Sequence, residues 1–514
     1  MHVKVFSATL EGVDAFPVEV EVHLDGGLPT FKLSGLGDAA IKEAEVRVQC
    51  ALSTAGFHNP PGRLTVNLAP AVNKKGGTGF DLPIALGTLL VQKMLPASCL
   101  DDAIAVGELA LSGEVRPVRG VLAAVESAKR KGCTKAFVPA ENAAEAALVD
   151  GVDVFGVDAL IDVVHHLKQR KGKQLVAAAP MPPVIDENGL DLIDVKGQLT
   201  ARRALEIAAA GGHNLLFVGG PGAGKSMLAR RLPGILPPLT HEEALEVTRV
   251  HSLAGLNVGQ GLVQRRPFRA PHHTTTKPGM SGGGSGIPGP GEMTLAHHGV
   301  LFLDELPEFE KRVLEVMREP LETGLLHLRR SKAAVTYPCR VQLVAAMNPC
   351  PCGNLGDAKR RCRCSAYDVN RYQGKLSAPL LDRIDLHVHV PPVDVLSLHD
   401  QREGEPSSSV KARVVAARTR QQQRQGGKIN ALMGLRDLDE HVALCDAGKR
   451  VLSRAIDVLG LSARGYDRIR RVARTIADLD GCDDVKSSHV AEALQFRSLT
   501  SRMTATARPI ARAA

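Results

Sequence analysis

Between Asn214 and Ser226 the chain reads NLLFVGGPGAGKS, an apolar run followed by Gly219, four residues, and then Gly224-Lys225-Ser226. An apolar strand that runs into G-x-x-x-x-G-K-S and opens a helix is the pattern of a phosphate-binding loop. It constrains the surrounding fold to apolar strands alternating with helices, as a parallel sheet with crossovers requires. Gly219, Gly222 and Gly224 let successive backbone N–H groups curl around phosphate oxygens, with Gly220, Pro221 and Ala223 completing the loop. The helix beginning near Lys225 points its positive end at the same place. Lys225 is placed to neutralise β/γ-phosphate charge and Ser226 to ligate Mg²⁺, so the expected ligand is ATP or GTP. A glycine-rich turn can match the bare pattern, and the segments that follow carry the argument further.

Val300–Glu305, VLFLDE, is a second apolar strand that ends in two carboxylates. Asp304 would hold the Mg²⁺ and its water shell, and Glu305 would polarise the attacking water. A third strand, Val341–Met347, ends at Asn348, whose neutral amide can orient that water without adding charge. Each could be an ordinary strand end, but three in order around one nucleotide point to an ATP-hydrolysing core.

At 514 residues the chain has length for about three units of typical domain size. Its first residues alternate like strands and carry acids, unlike a secretory signal, and no apolar run approaches bilayer-spanning length. The cytoplasm is the expected location. Five of the ten cysteines crowd between Cys339 and Cys364, which fits free thiols or metal ligands better than disulfides. Residues 401–514 hold 21 Lys and Arg against 13 Asp and Glu, a surplus of 8 within a whole-chain net charge of +9. Such a bias suits an acidic polymer, and equally a solvated helical surface. With no Trp and four Tyr, stacking on bases is a poor binding mode, and contacts to a phosphate backbone are the expected kind.

Residues 1–165 read as a separate α/β unit, with strands at Val18–Leu24, Leu64–Leu68 and Ala136–Pro139 and helices at Ala39–Ala55 and Leu122–Lys131. A basic, then Ala- and Pro-rich linker over 166–189 breaks both periods. The nucleotide-binding core spans 190–392. Residues 393–439, with EGEPSSS and RTRQQQRQGG, read as a mobile connection. Residues 440–500 have apolar positions at helical spacing, and 501–514 form a basic tail.

FRAPHHTTT (Phe268–Thr276), GEMTLAHHGVLFLDELPEF (Gly291–Phe309), AAMNPCPCG (Ala345–Gly353) and LLDRIDL (Leu380–Leu386) together resemble the magnesium-chelatase-like AAA+ ATPases, most closely the bacterial competence-protein ComM family. The resemblance covers nearly the whole chain. It implies an AAA+ phosphate-loop core with a helical C-terminal lid. It makes Gly219–Ser226 the Walker A loop, Asp304 and Glu305 the Walker B pair, and Asn348 the first sensor. By the same likeness Arg383 is the arginine lent to a neighbouring subunit's ATP, and Arg464 is the second sensor. A guanidinium crossing an interface stabilises spread transition-state charge. A salt bridge of Arg383 with Asp382 or Asp385 is the plain alternative, and Arg468, Arg470 and Arg471 crowd the helix of Arg464.

Leu326–Tyr337 alternates and turns around Ser331-Lys332. In the related minichromosome maintenance helicases a hairpin here grips DNA in the ring's channel, and Arg329, Arg330 and Lys332 supply suitable charge. A solvated basic turn is the alternative. The glycine-rich stretch Gly279–Gly291 sits where that branch carries a second channel loop. The N-terminal unit resembles the Lon-protease-like α/β fold through LSGEVRPVRGVLAAVESAKRKG (Leu111–Gly132) and FVPAEN (Phe137–Asn142). Where the protease has its Ser and Lys, this chain has Thr78 and Leu122. A hydroxyl without its base is a poor nucleophile, so a binding or ring-forming module is expected.

Cys350-Pro-Cys352, nine residues, and Cys362-Arg-Cys364 can close a tetrahedral zinc site, with free thiols or a redox pair as alternatives. His272, His273, His387 and His389 read as ordinary loop and strand residues. The resemblance implies an ATP- and Mg²⁺-dependent hexameric motor on single-stranded and branched DNA, acting by branch migration in homologous recombination during natural transformation. A chelatase-like protein-remodelling ATPase and an ATP-dependent protease are the rivals.

Overall fold

The computed structural model describes residues 2–35, 41, 43–70, 75–77, 79–181, 190–284, 288–330, 333–357, 360–392, 404–459 and 462–497. Thr78, Ser331, Lys332 and the tail at 501–514 lie outside the described residues.

The N-terminal part is one mixed seven-stranded sheet with helices packed on it. Strands β1 (His2–Glu11) and β2 (Asp14–Asp25) form a long antiparallel hairpin with Glu11 opposite Asp14. Then come β3 (Thr30–Ser34), α1 (Ala44–Thr54), β4 (Arg63–Ala69), α2 (Asp81–Val91), β5 (Ala103–Ala105), α3 (Val121–Arg130), β6 (Lys135–Pro139), β7 (Asp153–Val157) and α4 (Leu160–Leu167). The sheet order is β3-β4-β2-β1-β5-β6-β7. Val18, Val20 and Val22 of β2 are buried on one face, the period of two that a one-sided sheet demands. DLPIALGTLLV in α2 is buried at every position. Its one charge, Asp81, is held there by Arg47 Nε at 2.6 Å and the Leu109 N–H at 3.1 Å.

The central part begins with α5 (Leu199–Gly211), β8 (Leu215–Val218), α6 (Lys225–Ala229) and α7 (His241–Ala254). It continues through β9 (Phe268–Arg269), α8 (Lys277–Ser281), β10 (Val300–Leu303), the hairpin β11 (Leu325–Arg330) with β12 (Ala333–Pro338), β13 (Gln342–Met347) and β14 (Leu386–His389). Strands β9-β10-β13-β8-β14 form a five-stranded sheet in which every pairing is parallel. Leu215 and Phe217 face one core, and Leu216 and Val218 the other. Burial on both faces is why these strands read as unbroken apolar runs.

One expectation is corrected here. The segment read as a mobile connection contains α9 (Ser407–Arg424), an 18-residue helix. Val410, Val414, Ala417 and Gln421 are buried at spacings of four, three and four, a narrow stripe that packs on α5. Ser407, Arg418 and Arg424 also turn inward, onto the Leu192 N–H, the Ala209 carbonyl and Asp478, while most of the other polar residues are exposed, which makes the segment look loop-like in composition. The helical C-terminal region therefore starts well before residue 440 and continues through α10 (Leu435–His441), α11 (Asp446–Leu459), α12 (Ala463–Leu479) and α13 (Ser487–Gln495).

The N-terminal sheet docks on the central part through α3 and α7. Arg249 pairs with Glu126 at 2.8 Å, and the Gly120 N–H donates to the Ser252 carbonyl at 3.2 Å. The β1–β2 turn lies against the hairpin: a Cβ added at Gly12 would come within 2.8 Å of Val335 Cγ1. Among the described residues no helix is long and apolar enough to cross a membrane.

Candidate nucleotide site and cysteine cluster

Parallel packing brings three strand ends to one edge of the central sheet. From β8 the chain enters the loop at Gly219, where a Cβ would lie 2.2 Å from the Val390 carbonyl oxygen, so no side chain fits. Gly224 precedes α6 with φ +87°, the left-handed region that glycine enters without penalty. Lys225 is buried, and its Nζ donates to the carbonyls of Gly219 at 2.7 Å and Gly220 at 2.9 Å and to Asn348 Oδ1 at 3.1 Å. Burial lowers the Lys225 ammonium below the ordinary lysine range, against the opposing pull of Asp304 and Glu305.

Ser226 Oγ donates to Asp304 Oδ2 at 2.6 Å, and the Glu305 N–H donates to Asp304 Oδ1 at 2.9 Å. A hydroxyl and a carboxylate this close are hard oxygen donors of the sort Mg²⁺ takes, and the loop amides beside them suit a polyphosphate. Glu305 itself has φ +52° and ψ +45°, an uncommon conformation for a residue with a side chain. Its Oε2 lies 3.3 Å from His273 Nδ1. The sequence reading treats His273 as an ordinary loop residue. The one signal for it was its place in FRAPHHTTT, just after the strand that flanks β10.

Arg383 lies at the other end of the sheet. Its carbonyl accepts from Asn214 Nδ2 at 2.9 Å, immediately before β8 begins, whereas the phosphate loop follows the end of β8. Four residues separate those ends, about 13 Å at 3.3 Å per residue. The guanidinium is engaged by Glu322 at 2.8 Å and by the carbonyls of Arg318 at 2.8 Å and Pro379 at 2.7 Å. The expected alternative partners, Asp382 and Asp385, are thus not its ion-pair partners among the described residues. Asp385 instead meets His213 at 3.1 Å and Arg468 of α12 at 3.4 Å. Burial would raise the Asp385 carboxyl, yet His213 and the nearby arginines hold it well below the carboxylate range. Arg464 is exposed in the first turn of α12, clear of this buried cluster.

On the hairpin, Leu326, Val335 and Tyr337 are buried, while His327 and Arg329 face outward. Arg330 pairs in register with Ala333. Leu122 is fully buried in α3, so no base stands at that position.

Cys350, Cys352, Cys362 and Cys364 converge, with all four sulfurs within 4.8 Å of one another. Cys350 Sγ lies 3.4 Å from Cys352 Sγ and 3.7 Å from Cys362 Sγ, and Cys352 Sγ lies 3.7 Å from Cys362 Sγ. Four sulfurs at Zn–S bonds of about 2.3 Å form a tetrahedron with edges of about 3.8 Å, close to these separations and far from a disulfide's. Backbone N–H groups of Arg363 and Asn354 hold the Cys352 thiol down at about 6, and burial pushes Cys350 up. The donor set fits zinc. A second cluster, Glu246 with His297 and His298, does not fit a metal. His297 Nδ1 accepts the Arg340 N–H at 3.0 Å, so Nε2 carries the proton it donates to Glu246 at 2.9 Å and has no lone pair to offer. His387 is fully buried on β14, as its reading as a strand residue expects.

The family model described as "Magnesium chelatase, subunit ChlI" matches residues 191–398. "Subunit ChlI of Mg-chelatase" matches 20–142, and "Magnesium chelatase, subunit ChlI C-terminal" matches 404–497. Competence protein ComM of Haemophilus influenzae is 44% identical over 499 residues, covering 96% of this chain and 97% of that protein. The uncharacterized protein YifB of Salmonella typhimurium is 44% identical over 490 residues, covering 95% of each. The magnesium-chelatase 38 kDa subunit of Chlorobaculum parvum is 25% identical over 209 residues, covering 39% of this chain and 52% of that protein. Such AAA+ proteins are ATPases that use ATP with Mg²⁺, and the site described above has the groups for both. The chain belongs to the magnesium-chelatase-like AAA+ family, in the group that includes ComM.

Proposed function

We propose that this chain is a cytoplasmic, ring-forming ATPase, a hexamer that moves along single-stranded and branched DNA and drives branch migration in homologous recombination during natural transformation. The observation that carries this reading is the hairpin β11–β12. It is rooted between the strands that end at Glu305 and Asn348, and it turns Arg329 outward. Likeness to ComM along the full chain supports the same reading.

In this account the amides of Gly219–Ser226 and the Lys225 ammonium bind the triphosphate, and Ser226 and Asp304 hold Mg²⁺. Bound Mg²⁺ supplies charge neutralisation at the phosphates. Glu305 accepts a proton from the attacking water, and Asn348 orients that water. Arg383 sits too far along the sheet to serve its own chain's phosphates and acts on a neighbour's, after leaving Glu322. Arg464, at the exposed start of the lid's α12, senses nucleotide. Arg329, Arg330, Lys332 and the basic C-terminal region contact DNA phosphates. Zinc on Cys350, Cys352, Cys362 and Cys364 pins the loop after Asn348. The domain division is 1–165, a Lon-like module without a catalytic dyad; 166–189, linker; 190–392, core; and 404–500, lid.

The matching chelatase family models favour one other reading, an ATPase that remodels a partner protein. ATP turnover of the purified protein with and without single-stranded, duplex and branched DNA separates the two. A DNA motor is stimulated by DNA, and a remodelling ATPase only by its protein partner.

A further inference from the structure

We propose that the cysteine-bound loop after Asn348 is a second contact for single-stranded nucleic acid, in which Arg360, Arg361 and Arg363 take backbone phosphates and Tyr367 stacks on a base. This rests on the reading of the chain as a protein that acts on DNA, and it places DNA on a surface away from the basic hairpin.

The cysteines dictate where the arginines point. Residues 361–365 form no helix or strand, and exposure alternates along them: Arg361, Arg363 and Ser365 are exposed, while Cys362 and Cys364 are half-buried. Both thiols turn in toward Cys350 and Cys352, so the side chains beside and between them turn out. The backbone is held as well. The Arg363 N–H faces the Cys352 sulfur, and the Arg360 N–H donates to Asp357 Oδ1 at 3.2 Å. Guanidiniums on a backbone fixed in this way lose less freedom on binding than those of a free loop.

The charge on this surface is unbalanced. Residues 350–371 hold five Lys and Arg against two Asp. Both acids are engaged locally, Asp357 as above and Asp368 by the Ser365 N–H at 3.2 Å and hydroxyl at 2.7 Å. Among the described residues Arg360, Arg361 and Arg363 have no ion-pair partner. Their planar forks match phosphate oxygens. Tyr367 is 71% exposed, whereas Tyr337 and Tyr372 are buried. It stands four residues before the exposed Arg371 in the helix Ala366–Gln373, so ring and guanidinium share one face. An exposed ring among arginines is a platform for a base. An acidic protein face would match the arginines and leave the ring without a role.

Strand β13 separates this surface from the hairpin. The hairpin precedes its start at Gln342 and the loop follows its end at Met347, and six residues span about 20 Å at 3.3 Å per residue. The loop lies instead on the phosphate loop: a Cβ at Gly353 would run into the Pro221 ring, and Gln373 Nε2 donates to the Pro349 carbonyl, next to Asn348, at 2.9 Å. A strand held here touches the edge that carries the nucleotide groups.

The test uses the purified full-length protein and the fluorescence anisotropy of a labelled oligothymidine at several salt concentrations. The double variant Arg361→Ala/Arg363→Ala is expected to bind about tenfold more weakly. It should also flatten the slope of log affinity against log salt by about 1.4, two contacts at about 0.7 each on a single strand. Tyr367→Ala is expected to weaken binding about five- to tenfold with the slope unchanged, and Tyr367→Phe to restore it. Lys171→Ala/Lys173→Ala removes the same charge from the exposed linker and is expected to bind as the unmodified protein does. The inference is overturned if Arg361→Ala/Arg363→Ala, with an unaltered thermal midpoint, keeps full affinity and slope, or loses no more than the linker variant. It is also overturned if that variant sheds subunits in light scattering while each chain binds DNA as before, which would make the surface a contact between copies. If Arg329→Ala weakens binding and Arg361→Ala/Arg363→Ala does not, the motor reading stands and this inference alone falls. If the unmodified protein binds no oligonucleotide, both fall together.

Discussion

Ser226 Oγ and Asp304 Oδ2 stand 2.6 Å apart although 78 residues separate them in the chain. The parallel order of the central strands forces this meeting. The phosphate loop leaves the end of β8 and Asp304 follows β10, with β13 between them, so both emerge at the same edge. Asn348, at the end of β13, completes the row by accepting from Lys225.

The proposed roles divide binding and hydrolysis between residues on that edge. Lys225→Ala is expected to abolish tight ATP binding, read with a fluorescent nucleotide. Glu305→Gln is expected to bind ATP as the unmodified protein does and to lose turnover by about 10²- to 10⁴-fold, the usual contribution of a general base. Normal turnover by Glu305→Gln protein would remove the assignment.

In the proposed ring, the role of Arg383 depends on pairs of subunits. Arg383→Ala and Glu305→Gln proteins should each be nearly inactive. Mixing them should recover little turnover, because an intact finger and an intact base meet only at one kind of mixed interface. Independent activity of Arg383→Ala protein would make Arg383 a structural residue held by Glu322 and the carbonyls around it.

One zinc per chain is expected from elemental analysis of protein purified under reducing conditions without chelators. Cys362→Ser should lower the zinc content to near zero and depress the thermal midpoint, since the loop from Cys350 to Ser365 contains no regular helix or strand among its described residues. Zinc-free protein of unaltered stability would show that the thiols are free.

The lid boundary has its own test. Val414 is fully buried in α9, and Val415 beside it is exposed. Val414→Ala should cost about 2 kcal/mol in chemical denaturation, and Val415→Ala less than about 0.5 kcal/mol. Equal effects at the two positions would mean that this helix does not pack on α5.

The three strand ends could be read from the sequence because a doubly buried parallel strand is an unbroken apolar run, and because glycines and paired carboxylates stand out where it stops. Cys350, Cys352, Cys362 and Cys364 were legible for a similar reason, since their spacing is local. Helix α9 was not. Its buried stripe has only three apolar residues, Val410, Val414 and Ala417, in a segment rich in Ser, Arg and Gln, and composition outweighs so narrow a period. The contact of His273 with Glu305, and that of Asp385 with His213 and Arg468, join distant segments through tertiary packing. No local pattern announces which histidine will face which carboxylate.

The account's central claim is that ATP hydrolysis at this edge is coupled to DNA through the basic hairpin. The most direct measurement is steady-state ATP turnover against added single-stranded and branched DNA at fixed salt, for the unmodified protein and for Arg329→Ala and Lys332→Ala. The account predicts stimulation by DNA, and its reduction in both variants with basal turnover retained, because a lost phosphate contact leaves the nucleotide site intact. Turnover that is the same with and without DNA, or stimulation that both variants keep in full, would contradict it.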